Sequence, residues 1–341
     1  MPEITYDQLK PYQKISDAHR FVGPSSDWTQ EVLEYYLHGE QIRGIKLPWP
    51  RMDKRFRLRE HEITVLAGPS GAGKSLVCSQ FMLNAMEQGY PCLSVSLEMT
   101  VKSQLARAWR QRSLVAEPGL DEGLDFAAWA EGKLWFYNQQ GSVTFNTLMA
   151  VLRYTTETYG VKFVVVDSLM TVGDIPSDAW EQQKRFVCAL ANIARDLGIH
   201  IMLVCHTRKT QDASQPLSRH DVSGSSDITN RVDNVLILQR TFANDMMKPD
   251  AKLNIVKCRH FDQGEESISL WLDMASLNYY SEGDTPRVIG NETTISKAKG
   301  EKIPTVGEIS IVKSKPKPAA GGHRVEVNGS AGGGLNAVAS G

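Results

Sequence analysis

Residues 62–75 read Glu62-Ile63-Thr64-Val65-Leu66-Ala67-Gly68-Pro69-Ser70-Gly71-Ala72-Gly73-Lys74-Ser75. The last eight fit G-x-x-x-x-G-K-[ST], the pattern of a phosphate-cradling P-loop. The six residues before Gly68 are β-rich and read as a buried strand. Leu76 to Leu83 follow with helical spacing. Strand, glycine loop and helix is the context the motif requires. Gly68, Pro69, Ser70, Gly71, Ala72 and Gly73 would let backbone N–H groups close around a β-phosphate. Lys74 would reach the β- and γ-phosphates, and the Ser75 hydroxyl would hold Mg²⁺. The helix N-terminus adds a dipole that favours the anion. The chain is expected to bind ATP or another nucleoside triphosphate with Mg²⁺.

Working outward, β-rich runs alternate with helix-period segments through residues 41–280. Strands are predicted over 62–67, 92–97, 133–137, 162–166, 199–205, 233–239, 252–257, 267–272 and 277–280. Helices are predicted over 74–88, 100–112, 144–159 and 179–197. Gly89 and Gly198 stand where the first and last of these helices should stop. Phe163-Val164-Val165-Val166 is apolar on both faces, as a central parallel strand is. The last strands lack intervening helices and predict antiparallel hairpins. The fold class is therefore α/β, a P-loop core with a mostly parallel central sheet and antiparallel C-terminal strands.

Three strand ends carry further chemistry. Asp167 closes the strand after Val166, where a second Mg²⁺ anchor belongs. Glu98 follows Ser96-Leu97, and strand C-termini line the ligand crevice of a parallel sheet. A carboxylate there can polarise an attacking water. His206 ends the strand 199–205, on the side where a polar group can sense a γ-phosphate. Lys257 and Arg259 are two apart and share a face. Such a pair suits an arginine finger, which a neighbouring subunit could supply.

Composition narrows the class. The chain has 341 residues, 41% of them hydrophobic, and a net charge of −1. Any nucleic-acid site must then be a local patch. No apolar run reaches the length of a membrane span, and the N-terminus lacks the features of a secretory signal. A cytoplasmic protein of a bacterial or phage-infected cell is expected, with its five cysteines reduced. Cys205 and His206 are strand neighbours pointing to opposite faces, so they cannot share a zinc ion. Residues 29–38 predict a short amphipathic helix with Val32, Leu33, Tyr36 and Leu37 on one face. Residues 281–341 contain no aromatic residue or Met and hold 11 of the 27 glycines. That composition predicts a flexible tail from residue 286. The expected division is an arm and linker helix at 1–40, an ATPase domain at 41–285 and the tail.

The motifs together resemble a known family. GPSGAGKS at 68–75, SLEM at 96–99, VVVDS at 164–168, VCHTRK at 204–209, SGSSDITNRVDNVLILQR at 223–240 and VKCRH at 256–260 resemble the DnaB-like hexameric replicative helicases. The likeness is strongest to the helicase half of phage helicase–primases and to the mitochondrial helicase Twinkle. It covers residues 30–280 and implies a RecA-like core. It also implies Glu98 as catalytic base, Asp167 beside Mg²⁺, His206 as γ-phosphate sensor, and Arg259 with Lys257 as the finger in trans. Arg240 would lie near a nucleotide at the interface. The 207–223 loop would line a central channel and touch DNA phosphates through Arg208, Lys209 and Arg219. Residues 207–220 hold three Lys/Arg, one His and one acidic residue, so a ring of six loops would concentrate positive charge. A second basic run, Arg51, Lys54, Arg55, Arg57 and Arg59, reads first as a solvated or subunit-facing surface and second as a DNA contact.

The implied protein is an ATP-driven helicase that travels 5′→3′ on single-stranded or forked DNA as a homo-oligomeric ring, a hexamer. Residues 1–60 are too short for a primase half or a full bacterial N-terminal domain, so a separate primase and polymerase are expected. Two rivals share the core: a RecA/RadA-type recombinase and a DNA-independent regulatory ATPase.

Overall fold

Alternating strand and helix segments build one nine-stranded sheet. The computed structural model describes residues 24–37, 43–168, 180–207, 217–222, 226–241, 248–259, 266–284 and 289. The expectations for the arm, for Arg208 and Lys209, for most of the loop after Asp167 and for the tail lie outside these residues. Strands β1 (Ile45–Lys46) and β2 (Arg57–Leu58) form a small antiparallel pair of their own. In the main sheet β3 (Ile63–Gly68), β4 (Cys92–Ser96), β5 (Leu134–Phe136), β6 (Phe163–Asp167), β7 (His200–His206) and β8 (Asn234–Arg240) are parallel. Strands β9 (Ala251–Cys258), β10 (Glu266–Asp273) and β11 (Asn278–Tyr280) follow as antiparallel additions. The order is β11-β10-β9-β8-β3-β7-β6-β4-β5. The expected mostly parallel sheet with antiparallel C-terminal strands is the observed one.

Seven α-helices are found among the described residues: α1 (Thr29–Leu37), α2 (Lys74–Glu87), α3 (Val101–Ser113), α4 (Leu120–Ala130), α5 (Phe145–Tyr159), α6 (Trp180–Leu197) and α7 (Ser226–Arg231). The sequence reading missed α4 and α7. Pro118-Gly119 and Gly123 read as breakers over α4, and α7 spans only six residues. Caps set the boundaries of two helices. Thr100 accepts the Ser103 N–H at 3.1 Å and Thr144 the Thr147 N–H at 3.2 Å, satisfying otherwise orphaned donors.

Strand alternation sorts the core onto two faces. Leu66 joins Phe81 and Leu83 of α2, Ala108 of α3 and Phe126 of α4. Ile63, Val65 and Ala67 join Leu148 and Leu152 of α5 and Phe186, Val187 and Leu190 of α6. The segment before β3 seals one flank. The buried Trp49 ring meets Phe81 edge-on at 5.7 Å, and its indole N–H donates to the Tyr279 carbonyl at 2.8 Å. The basic run follows its surface reading only in part: Arg51, Lys54 and Arg55 are exposed, but the later members are not. Arg57 is buried, Arg55 pairs with Glu266 at 2.6 Å, and Arg51 and Arg59 pair with Glu282 and Glu62 at 3.5 Å. Carboxylates of the same chain absorb much of that charge.

The edge where the parallel strands begin is a buried polar layer. Asn234 donates to Glu62 at 2.9 Å and to Thr64 at 3.1 Å. His200, wholly buried, donates from Nδ1 to the Arg59 carbonyl at 2.6 Å, and its Nε2 has no partner. Burial pushes its pKa down to about 4, against about 6.5 in an unfolded chain. Between those values the unfolded chain holds the extra proton, so acid favours unfolding. Stability from this group is complete above pH 6.5 and is lost as the pH falls toward 4. We expect a loss of about 2 kcal/mol between pH 7 and 5 from this group. Denaturant midpoints at the two pH values, compared with those of His200→Gln, should show the variant's dependence flattened by that amount.

Candidate nucleotide site

The candidate site lies where the parallel strands end. Strand β3 runs buried to Gly68 and passes into the loop that opens α2. Gly68 leaves no room for a side chain, since a Cβ there would stand 2.4 Å from the Leu238 carbonyl oxygen. Gly73 has φ +93°, a left-handed conformation that glycine adopts freely. A Cβ at Gly73 would also stand 2.4 Å from the Tyr279 hydroxyl. The loop therefore depends on β11, far along the chain, as well as on its own residues.

Lys74 is buried, and its ammonium donates to the Gly68 and Pro69 carbonyls at 2.8 Å each. It lies 3.5 Å from Nδ1 of His206, which the register sets beside Gly68. The Ser75 hydroxyl donates to Asp167 at 3.0 Å. The Ser168 hydroxyl donates to Glu98 at 3.0 Å. The Leu97 N–H reaches the Asp167 carbonyl at 3.1 Å and locks the ends of β4 and β6 together. Glu98 is exposed at the lip of the crevice, tethered by the buried Ser168. Lys74, Ser75, Glu98, Asp167 and His206, predicted from four separate motifs, thus converge.

Burial leaves its mark on both charges. It lowers the pKa of Lys74, a shift opposed by Asp167, and it raises that of Asp167, a shift opposed by the Ser75 hydrogen bond and by Lys74. A phosphate at Lys74 and a cation at Asp167 would each favour the charged form. The oxygens of Ser75 and Asp167 are the hard donors that Mg²⁺ takes. The glycine cradle, the buried ammonium and this oxygen pair fit a nucleoside triphosphate with its metal.

Sequence reasoning missed two residues here. Arg107 of α3 lines a narrow cavity of about 30 Å³ shared with Ser75, Ser96 and Asp167. Burial lowers its pKa, while Asp167 opposes the shift. Its signal was positional, two turns into the helix that Thr100 opens just after Glu98. Tyr279 lies under the loop, buried, and feels the charge of Arg240. That places Arg240, exposed at the end of β8, near the chain's own P-loop.

Lys257 and Arg259 lie elsewhere. Strand β9 runs against β8, so its end meets Asn234, where β8 begins. The Lys257 ammonium donates to the carbonyls of Thr229, Asn230 and Val232 at 2.7–3.0 Å. It closes the C-terminus of α7, where carbonyls are orphaned and the dipole is negative. The expected catalytic pair is thus divided: Lys257 serves a helix end, and Arg259 pairs with Asp233 at 3.0 Å. Arg219 sits in a short 3₁₀ turn, Arg219–Asp221, and its charge is felt at Lys257.

Gly73→Ala tests the cradle. It should abolish nucleotide binding by fluorescence titration and lower the melting temperature, because strain at +93° and the collision with Tyr279 add together. Pairing it with Tyr279→Ala should recover part of the stability without restoring binding.

Comparison with known proteins agrees with this geometry. Residues 48–212 match the family model described as an AAA domain. A UPF0273 protein of Pyrococcus furiosus is 29% identical over an alignment of 140 residues that covers 38% of this chain and 56% of that protein. The chain thus spans little more than half of that relative's length. A solved ATPase domain superposes with a TM-score of 0.64 at 16% identity, covering 76% of this chain and 99% of that one. A DnaB-like replicative helicase, solved with its interactions with primase, superposes with a TM-score of 0.62 at 17% identity, covering 76% and 67%. The chain has the P-loop ATPase fold of the DnaB-like replicative helicases, the family its motifs resemble.

Proposed function

We propose that the chain is the ATPase motor of a ring-forming DNA helicase. One observation supports this reading: the candidate phosphate-side residues and the candidate finger lie at opposite edges of the sheet. Lys74, Ser75, Glu98, Asp167 and His206 stand at one edge, and Arg259 at the other. Arg259 is bound next to Ile63 through Asp233, and Gly68 lies five residues further along β3. That is about 17 Å at strand spacing, beyond the reach of an arginine side chain. A second copy of the chain can bring Arg259 to the site. Residues 29–37 support an assembly too, since Val32, Leu33 and Leu37 of α1 are exposed and would pack on an adjacent subunit.

The chemistry follows from the residues. Lys74 exchanges its two carbonyls for β- and γ-phosphate oxygens. Glu98, aimed by Ser168, accepts a proton from water as that oxygen bonds to the γ-phosphorus. The bond from the γ-phosphorus to the bridging oxygen breaks, and ADP and phosphate leave. Ser75 and Asp167 would hold Mg²⁺, which would supply charge neutralisation across the phosphates. His206, against Lys74, registers whether the γ-phosphate is present and begins the segment leading to Arg208 and Lys209. Those two, with Arg219, would meet DNA phosphates in the channel. By resemblance the motor moves 5′→3′ in the cytoplasm, beside a separate primase and polymerase. Among the described residues no helix is long and apolar enough to cross a membrane.

Glu98→Gln should bind ATP as the wild type does and hydrolyse it about 100-fold more slowly or worse. Near-normal turnover would remove Glu98 from its role. Electron microscopy with a slowly hydrolysed ATP analogue and single-stranded DNA should show closed rings around the strand, and forked duplexes should be unwound. Filaments with strand exchange would favour the recombinase. ATPase activity indifferent to single-stranded DNA would favour the regulatory enzyme.

A further inference from the structure

We propose that Asp233 is the positioning residue of the trans-acting Arg259, and that it fixes the finger to the P-loop strand of the subunit that lends it. The inference rests on the reading of Arg259 as a finger. Asp233 is buried, its side chain 5% exposed, whereas that of Arg259 is 44% exposed. Two backbone bonds clamp Asp233 between neighbours: its N–H donates to the Ile63 carbonyl at 3.0 Å, and its carbonyl accepts the Arg259 N–H at 3.1 Å. The carboxylate is divided just as clearly. Oδ2 accepts the Ile63 N–H at 3.0 Å, while Oδ1 faces Arg259 at 3.0 Å and Arg195 at 3.6 Å.

An exposed arginine at a strand end would otherwise sample many rotamers. A charge-assisted bond to an immobile carboxylate selects one direction. It occupies a fraction of the five N–H donors, and the remainder can meet a phosphate. Lys257, bonded to the carbonyls at the end of α7, steadies the same strand end. The arrangement has the features of preorganisation, in which a transition-state charge is met by a group already in place. It also links two functions of one subunit. Ile63, which holds Asp233, begins the strand that ends at Gly68, so the finger offered to one neighbour and the loop that holds a nucleotide share one rigid element.

The test is DNA-stimulated ATP hydrolysis by the full chain in mixed assemblies. Asp233→Asn keeps an oxygen for the Ile63 N–H and removes the charge. Alone, it should lower kcat about 10-fold or more, with KM for ATP little changed. Mixed with Lys74→Ala subunits, which have intact fingers and disabled loops, Asp233→Asn subunits should regain several-fold activity per intact loop. A residue acting only on its own P-loop strand would gain nothing. Arg259→Ala mixed with Lys74→Ala is the control. Gain in the control without gain for Asp233→Asn overturns this proposal and leaves the finger standing. No gain in either, in assemblies shown by mass spectrometry to be mixed, overturns both. Asp233→Glu, which keeps the charge but displaces it, should show a smaller loss, also recovered in trans. If neither variant folds, Asp233 is a structural residue and the proposal falls.

Discussion

The position of β3 between two parallel neighbours is the constraint on which the rest of the structure depends. All six of its residues are buried, so its backbone groups must be satisfied by β7 and β8 in a single register. That register sets Gly68 beside His206 and Thr64 beside Asn234. A slip of one residue would exchange the faces of Leu66 and Val65 and would also move the P-loop away from Asp167. Core packing and site geometry are therefore one requirement.

The site itself holds a tension between charge and burial. Lys74 and Asp167 both lose hydration and are only partly compensated, one by carbonyls, the other by a hydroxyl. Such groups cost stability when they lack a full counter-charge. Binding a phosphate and a divalent cation would relieve both at once, so the features that make the site costly in isolation also make it selective.

Much of this was legible in the sequence, because its signals are local. The P-loop, Asp167 after a run of valines, and the glycines at 89 and 198 each announce themselves within a few residues. What escaped reading depends on distant contacts. Nothing near Lys257 announces that its ammonium closes a helix 26 residues earlier, since α7 ends at Arg231. Tyr279 reads as a strand aromatic, and its place beneath Gly73 follows from the sheet order. Asp233 stood in a quoted motif with no role, because its partners come from β3, α6 and the end of β9. Arg57 and Arg59 read as surface because a run of cations looks solvated until their burial and ion pairs are known.

The proposed completion of the site by Arg259 of a second copy, from the opposite edge of the sheet, has a consequence for symmetry. A contact that brings the Arg259 edge of one copy to the P-loop edge of the next joins two different surfaces, so it is heterologous. A two-fold dimer would be isologous and could not repeat that contact in one direction. Head-to-tail succession uses both edges of every copy. The rotation between successive copies then decides whether the chain of contacts closes on itself or climbs as a helix. Ring and filament are two values of one angle, and small changes at the subunit contact can select between them.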